Sequence, residues 1–342
     1  MDTVKISKKS FSDFIGSKIG ENSSRMIGVV KKGNRFIFDE IKDADQMCLD
    51  YDVTILPPKK FFQPPKEVLL RFAPKKADSY EAVNEYAPMT IVGIHYYDLA
   101  AINLMDRAFS EGEYDENYMK KRENSLLIGM YPTRSFKNRF ARSVVRGDHP
   151  YKAADLMLID MGDDHYAVEI VTDKGKNYIA KADTEKSAYT NEQIDAAKLS
   201  VKDDERLPIP TENTPDYLAK NHDHEVWGVF GEKCYSCGSC VLVCPTCYCF
   251  NVADEIELSL ESGQRVRVWD GCMLEDFAVC AGGHNFRDKR AARFRHRIYR
   301  KGVTLPQKYH YWGCVGCGRC ADACTASIAG PVKVMKYIEE NK

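Results

Sequence analysis

Cys234, Cys237, Cys240 and Cys244 read C-x2-C-x2-C-x3-C with Pro245 after the last, and Cys314, Cys317, Cys320 and Cys324 repeat the spacing with Thr325 in the proline's place. Thiolates at these steps are ligands for a [4Fe–4S] cluster. Three on one tight loop reach three corners of a cube, and the fourth opens a helix directed away and serves a second cube. The pattern assigns Cys234, Cys237, Cys240 and Cys324 to one cluster, and Cys314, Cys317, Cys320 and Cys244 to the other. Two cubes with crossed ligands are suited to relaying single electrons.

Other cysteine chemistries fit less well. Zinc takes two pairs of ligands separated by a longer loop, whereas here four cysteines arrive in one run, twice. Cys240, Cys244 and Cys247 also spell C-x3-C-x2-C, the pattern of radical S-adenosylmethionine enzymes. No series of strand–helix repeats surrounds it, and the second run lacks it. The opening MDTVKISKKSF holds no apolar signal segment and no stretch has the length of a membrane span, so metal-binding thiols in a reducing cytoplasm are expected rather than disulfides.

The elements that must position these residues fall into two parts. Twelve of the thirteen cysteines lie after residue 233, which sets the expected boundary: an α/β scaffold and docking domain over 1–221, and a ferredoxin-like dicluster domain over 222–342. The fold class expected is thus mixed, α/β followed by a smaller two-cluster α+β domain with a large insertion. In the first part SFSDFIGSKIG is patterned as a helix, MIGVV and RFIF as strands, and MTIVGI with DLAAINLMDRAF as strand then helix. LLIGMY reads as a strand and ADLMLIDMGDDHYAVEIVT as a hairpin turning at Gly162–Asp164. TNEQIDAAKLSV is a helix capped by Thr190 or Asn191, the segment 54–72 is expected to be irregular because of its two Pro-Pro pairs, and 202–222 reads as a linker. Between the cysteine runs lie 69 residues, including a hairpin expected from IELSL (256–260) and RVRVW (265–269). VKVMKYIEENK ends the chain as a short helix.

Lysine plus arginine number 49 against 50 acidic residues, so wholesale nucleic-acid binding has no support in the composition. Eight basic residues nevertheless crowd into 287–301: Arg287, Lys289, Arg290, Arg293, Arg295, Arg297, Arg300 and Lys301. Arg290, Arg293 and Arg297 share one helical face, suited to raising the potential of an anionic cluster and, on the outside, to meeting an acidic partner. The alternative reading of this run is an iron–sulfur nucleic-acid-binding protein. No G-x-G-x-x-G follows a strand and no P-loop occurs, so no flavin or NAD site is expected on this chain. His284 and His296 are not assigned to metal, and no general base, nucleophile or substrate pocket stands out.

CGSCVLVCPTCYCFNVADE, VWDGCMLEDFAVCAGGHNFR, RFRHRIYRK and CVGCGRCADAC, with TILPPKKFF, YDLAAINLMDRAF and RENSLLIG upstream, resemble one family. It holds the iron–sulfur subunit of anaerobic sulfite reductase that carries two ferredoxin-type clusters, together with the sulfhydrogenase (cytosolic NiFe hydrogenase) beta subunit. The resemblance implies two [4Fe–4S] clusters and a role in electron transfer within a cytoplasmic redox complex of an anaerobe. One implied partner is a flavin (FAD) subunit handling NAD(P)H. The other is a catalytic or iron–sulfur subunit of hydrogenase, sulfite reductase or heterodisulfide reductase type. Cys247, Cys249 and Cys272 match further cysteines of the family and are candidate ligands of a third iron–sulfur cluster; the plainer reading is buried thiols. The family's N-terminal cysteines, in an R-x-C-D motif and a second group, fall at Tyr97, Pro132, Phe136, Arg139 and Ala141, none of which ligates iron.

Overall fold

Apolar runs in the N-terminal part pair into one broad sheet. In the computed structural model, which describes residues 2–21 and 24–342, the strands of this part are β1 (Thr3–Ser7), β2 (Arg25–Lys32), β3 (Arg35–Glu40), β4 (Lys66–Phe72), β5 (Glu81–Ala82), β6 (Met89–His95), β7 (Ser125–Met130), β8 (Leu156–Asp160), β9 (His165–Ile170) and β10 (Glu185–Lys186). Eight of them form a sheet in the order β10-β1-β9-β8-β7-β6-β2-β3. The central strands β2, β6, β7 and β8 are parallel, and the flanking pairs are antiparallel. Every residue of β6 and β7 is buried, which is why both read as unbroken apolar runs without alternation. Gly93 takes φ +84° where the β6–β7 register slips, and a Cβ there would stand 2.7 Å from Leu49 Cδ2.

Helices cover this sheet. α1 (Lys8–Lys18) buries Phe11, Phe14 and Ile15 and is capped by Ser7. α2 (Tyr96–Ser110) leaves β6 directly and is buried through most of its length, and α3 (Glu116–Glu123) returns the chain to β7. α4 (Asp173–Ile179) and α5 (Asn191–Lys198) follow the β8–β9 hairpin, α5 with a capping box from Thr190 and Gln193. The segment expected to be a linker is in part ordered: α6 (Thr214–Lys220) lies within it, with Pro215 in its first turn. Residues 54–72, expected to be irregular, hold one 3-10 turn at Pro58–Phe61 and then β4, since the Pro-Pro pairs govern only the residues beside them.

The C-terminal part is largely helical: α7 (Val226–Lys233), α8 (Ser239–Leu242), α9 (Arg290–Tyr299), α10 (Leu305–Tyr309), α11 (Arg319–Asp322) and α12 (Pro331–Glu340). A π-helical turn at Arg300–Thr304 joins α9 to α10. The hairpin between the cysteine runs is β11 (Phe250–Ile256) with β12 (Gly263–Trp269). Its first strand lies earlier than IELSL, whose Leu260 sits in the turn at φ +57°. β11 is exposed along its whole length, so the apolar alternation that marks a half-buried strand was never there to be read. β12 pairs with β4, so β11-β12-β4-β5 make a second sheet built from both parts of the chain.

Candidate metal centres

The two cysteine loops have the same backbone. Two residues after the first cysteine the chain turns left-handed, at Ser236 (φ +53°) and Gly316 (φ +66°), and it does so again at Gly238 (φ +73°) and Gly318 (φ +81°). In both, the amide at the first turn donates to the sulfur of the first cysteine: Ser236 N to Cys234 Sγ at 3.4 Å, Gly316 N to Cys314 Sγ at 3.5 Å. Each loop then opens a short helix, α8 or α11, and these two helices pack together. In the second loop glycine is required by contact as well as by φ. A Cβ on Gly316 would stand 2.6 Å from the Ala141 backbone, and one on Gly318 2.7 Å from that of Asn138.

Packing α8 on α11 brings cysteines of the two runs together. Cys234, Cys237, Cys240 and Cys324 line one small cavity with Met273, Phe294 and Ile328. Cys244 lies beyond it, within electrostatic reach of Cys314 and Cys317, and Cys314 is in turn within reach of Cys320. Burial pushes the Cys240 and Cys314 thiols up to about 12, against the opposing Arg297 and Lys301 charges respectively. Thiols so raised give up their protons when metal binds. Each thiolate of a four-iron cube binds a different iron, so its ligands stand apart; among the described residues no three His, Cys, Asp or Glu side chains converge on a single ion.

Whether the surroundings fit an anionic cluster is decided by charge. Arg293, Arg297 and Lys301 stand at four-residue steps on α9 and the π turn, and all three are buried. Arg297 is 1 % exposed; its Nη2 donates to Cys240 O at 3.3 Å, while Nε and Nη1 have no partner. Lys301 donates to Thr246 Oγ1 and Gly313 O. Among the described residues no carboxylate pairs with Arg297, Lys301 or the buried Lys59. Burial works to lower Arg297 and Lys301, yet the surrounding cysteine sulfurs outweigh it and hold both above their ordinary values. Burying a cation costs several kcal/mol unless an anion stands by it. The cysteine shells are what stand here, so the residues fit iron–sulfur groups of negative charge.

Cys247, Cys249 and Cys272 gather at the same end. The Cys247 amide donates to Cys244 O at 3.4 Å, and Cys249 and Cys272 are within reach of each other and of Lys301. Lys59, from the first part of the chain, donates to Cys247 O at 2.6 Å and lies 4.2 Å from the Trp269 ring centre. Cys280 is exposed and stands outside this group. Lys59 is a site neighbour that sequence reasoning did not single out, because its relation to Cys247 exists only in the folded chain.

The N-terminal positions are filled by packing groups. Tyr97 lies in a buried stack with Tyr51 and His95, its hydroxyl 2.6 Å from His95 Nδ1. Phe136 and Ala141 support Gly318 and Gly316, and Arg139 pairs with Asp203 at 2.6 Å. Beside them Arg319, inside the second cysteine loop, grips Asp98 of α2 through two bonds of 2.6 and 2.7 Å and also binds Thr54.

Residues 233–328 match the family described as a 4Fe-4S dicluster domain. The sulfhydrogenase 2 subunit beta of Pyrococcus furiosus is 29% identical over 345 residues, 99% of this chain and 99% of that protein. The chain is an iron–sulfur protein of sulfhydrogenase-beta-like sequence. No solved structure matches it. The similarity agrees with the shells described above and identifies an iron–sulfur electron-transfer protein. No helix among the described residues is long and apolar enough to cross a membrane.

Proposed function

We propose that this sulfhydrogenase-beta-like chain relays single electrons inside a cytoplasmic complex, between a flavin subunit that handles NAD(P)H and a catalytic or iron–sulfur subunit of hydrogenase, sulfite reductase or heterodisulfide reductase type. Cys234, Cys237, Cys240 and Cys324 hold one [4Fe–4S] cluster, and Cys314, Cys317, Cys320 and Cys244 the other. The observation that carries this reading is the pair of crossed cysteine shells with Arg297 and Lys301 buried beside them and no carboxylate to pair with either. Such groups supply one-electron chemistry when bound; the chain contributes spacing, positive charge and exclusion of water.

The basic run supports tuning over nucleic-acid binding. Three of its eight residues are buried, Arg295 donates to His222 O and Arg300 to Tyr248 Oη, and only Lys289 and Arg290 are exposed. A surface that binds phosphate needs free cations. Cys247, Cys249 and Cys272, bracketed by Lys59 and Lys301, support a third iron–sulfur group, because two buried cations beside three thiols ask for negative charge there.

The test is anaerobic purification followed by iron and sulfide analysis, electron paramagnetic resonance and reduction assays. The clusters should be reduced by dithionite and left oxidised by NADH or NADPH until the flavin partner is supplied. Bound zinc, or no acid-labile sulfide, overturns the reading.

A further inference from the structure

A cavity of about 380 Å³ lies outside the carboxyl ends of the parallel strands β6 and β7. Its size falls in the range of small-ligand sites, roughly 300–1,000 Å³, and its place is where open α/β sheets bind ligands. The residues that follow the two strands, Tyr96 and Tyr131, form its aromatic wall, ring centres 5.1 Å apart and planes 16° from parallel. None of the assigned cysteines lines it.

Two features show what this space is built to hold. Tyr96 is 8 % exposed and its hydroxyl has neither a protein partner nor access to water. A donor stranded in this way costs about 1–3 kcal/mol, which a ligand that parts the wall and offers an acceptor would recover. The second feature is charge. Of the cations lining the cavity, Arg139 is paired with Asp203, and Lys198 with Glu169 and Asp195. Arg142 has no carboxylate partner for its guanidinium: Nη2 donates to the Lys198 and Val201 carbonyls, and Asp203 meets only its backbone amide. Among the described residues Arg142 is therefore the one cation of the lining that no carboxylate pairs with directly.

We propose that this pocket binds a small planar monoanion whose ring carries a hydrogen-bond acceptor: the ring against Tyr96 and Tyr131, the acceptor on the Tyr96 hydroxyl, the negative charge toward Arg142. This binding site goes beyond the electron-relay reading and does not depend on it. Tyr96 and Tyr97 stand 5.5 Å apart, and Tyr97 lies within reach of Cys317, so an occupant would sit one tyrosine away from the second cysteine loop.

Anthraquinone-2-sulfonate, a planar monoanion with ring carbonyls, is the probe, titrated calorimetrically into the anaerobically purified protein. One saturable site is expected. Tyr96→Phe should weaken it about tenfold, the worth of one hydrogen bond, and Arg142→Gln by a similar or larger factor. Cyclohexanecarboxylate, which has the charge without the planar ring, should bind far more weakly. Tyr96→Phe removes an unpaired hydroxyl, so iron content and melting temperature should hold, and a loss of affinity cannot be put down to misfolding. The proposal is overturned by absence of saturation at millimolar probe, by unchanged affinity in Tyr96→Phe, or by equal binding of the two anions. Iron and sulfide analysis of the same samples keeps this outcome separate from failure of the relay reading.

Discussion

At the scale of single residues, the gathering of Cys234, Cys237, Cys240 and Cys324 about one cavity was legible because the spacing of the run itself carries the loop geometry. The four-residue steps that bring Arg293 and Arg297 to one face were legible for the same reason. That this face turns inward was not, since a basic helix is ordinarily a solvated one. Arg297 is the sharpest point for a test. Its charge lies among Cys240, Cys320, Cys244 and Cys247, and a cation so placed favours the reduced, more negative form of a cluster. Arg297→Gln should lower the potentials of both clusters, by on the order of 100 mV for a unit charge at about 6 Å in an effective dielectric near 20. Arg297→Lys should restore part of the difference. Redox titration followed by electron paramagnetic resonance reads this, and iron content should stay close to that of the unaltered protein. An unchanged potential would mean that the guanidinium only fills space.

At the scale of elements, α2 and the second cysteine loop are held together by the buried pair Asp98–Arg319, with Asp98 0 % and Arg319 2 % exposed at the side chain. Removing one partner leaves the other charge stranded, so Asp98→Asn should cost about 3–5 kcal/mol in chemical denaturation. The neighbouring stack adds an acid response. Burial first, then the Arg139 and Arg319 charges, hold His95 well below its ordinary value. The folded chain therefore keeps His95 neutral while the unfolded chain takes up a proton below about pH 6.5, and stability falls by about 1.4 kcal/mol per pH unit as the pH drops through that range. Denaturation midpoints at pH 7.5 and 5.5 should differ less in His95→Gln than in the unaltered protein. The sequence showed α1, α2, the β8–β9 hairpin and α5, whose patterns are each complete within about twenty consecutive residues. It hid β11, exposed throughout, and α6, whose charged residues and prolines resemble those of a linker.

At the scale of the whole molecule, the number of clusters is open to direct measurement. With two cubes, eight irons per chain are expected. With a third four-iron group at Cys247, Cys249 and Cys272 the count approaches twelve, and Cys249→Ser should then lower the iron content while the signals of the other two clusters remain. A count of eight that Cys249→Ser does not change would leave these thiols as packing groups. The mixed architecture could be read from the change in composition near residue 233, but the joining of the parts could not. β12 pairs with β4 nearly two hundred residues earlier, and Arg267 on β12 binds Glu67 on β4 at 3.1 Å. Pairing at that separation is set by tertiary structure, which no local window holds. It also bears on biosynthesis. While the ribosome is still adding the first cysteine run, the eight-stranded sheet already has all its strands, but the β4 edge that will receive β12 stays open. Docking of the second part should accordingly be a late step, and the first part expressed alone should present β4 as an open edge prone to association until β12 is supplied.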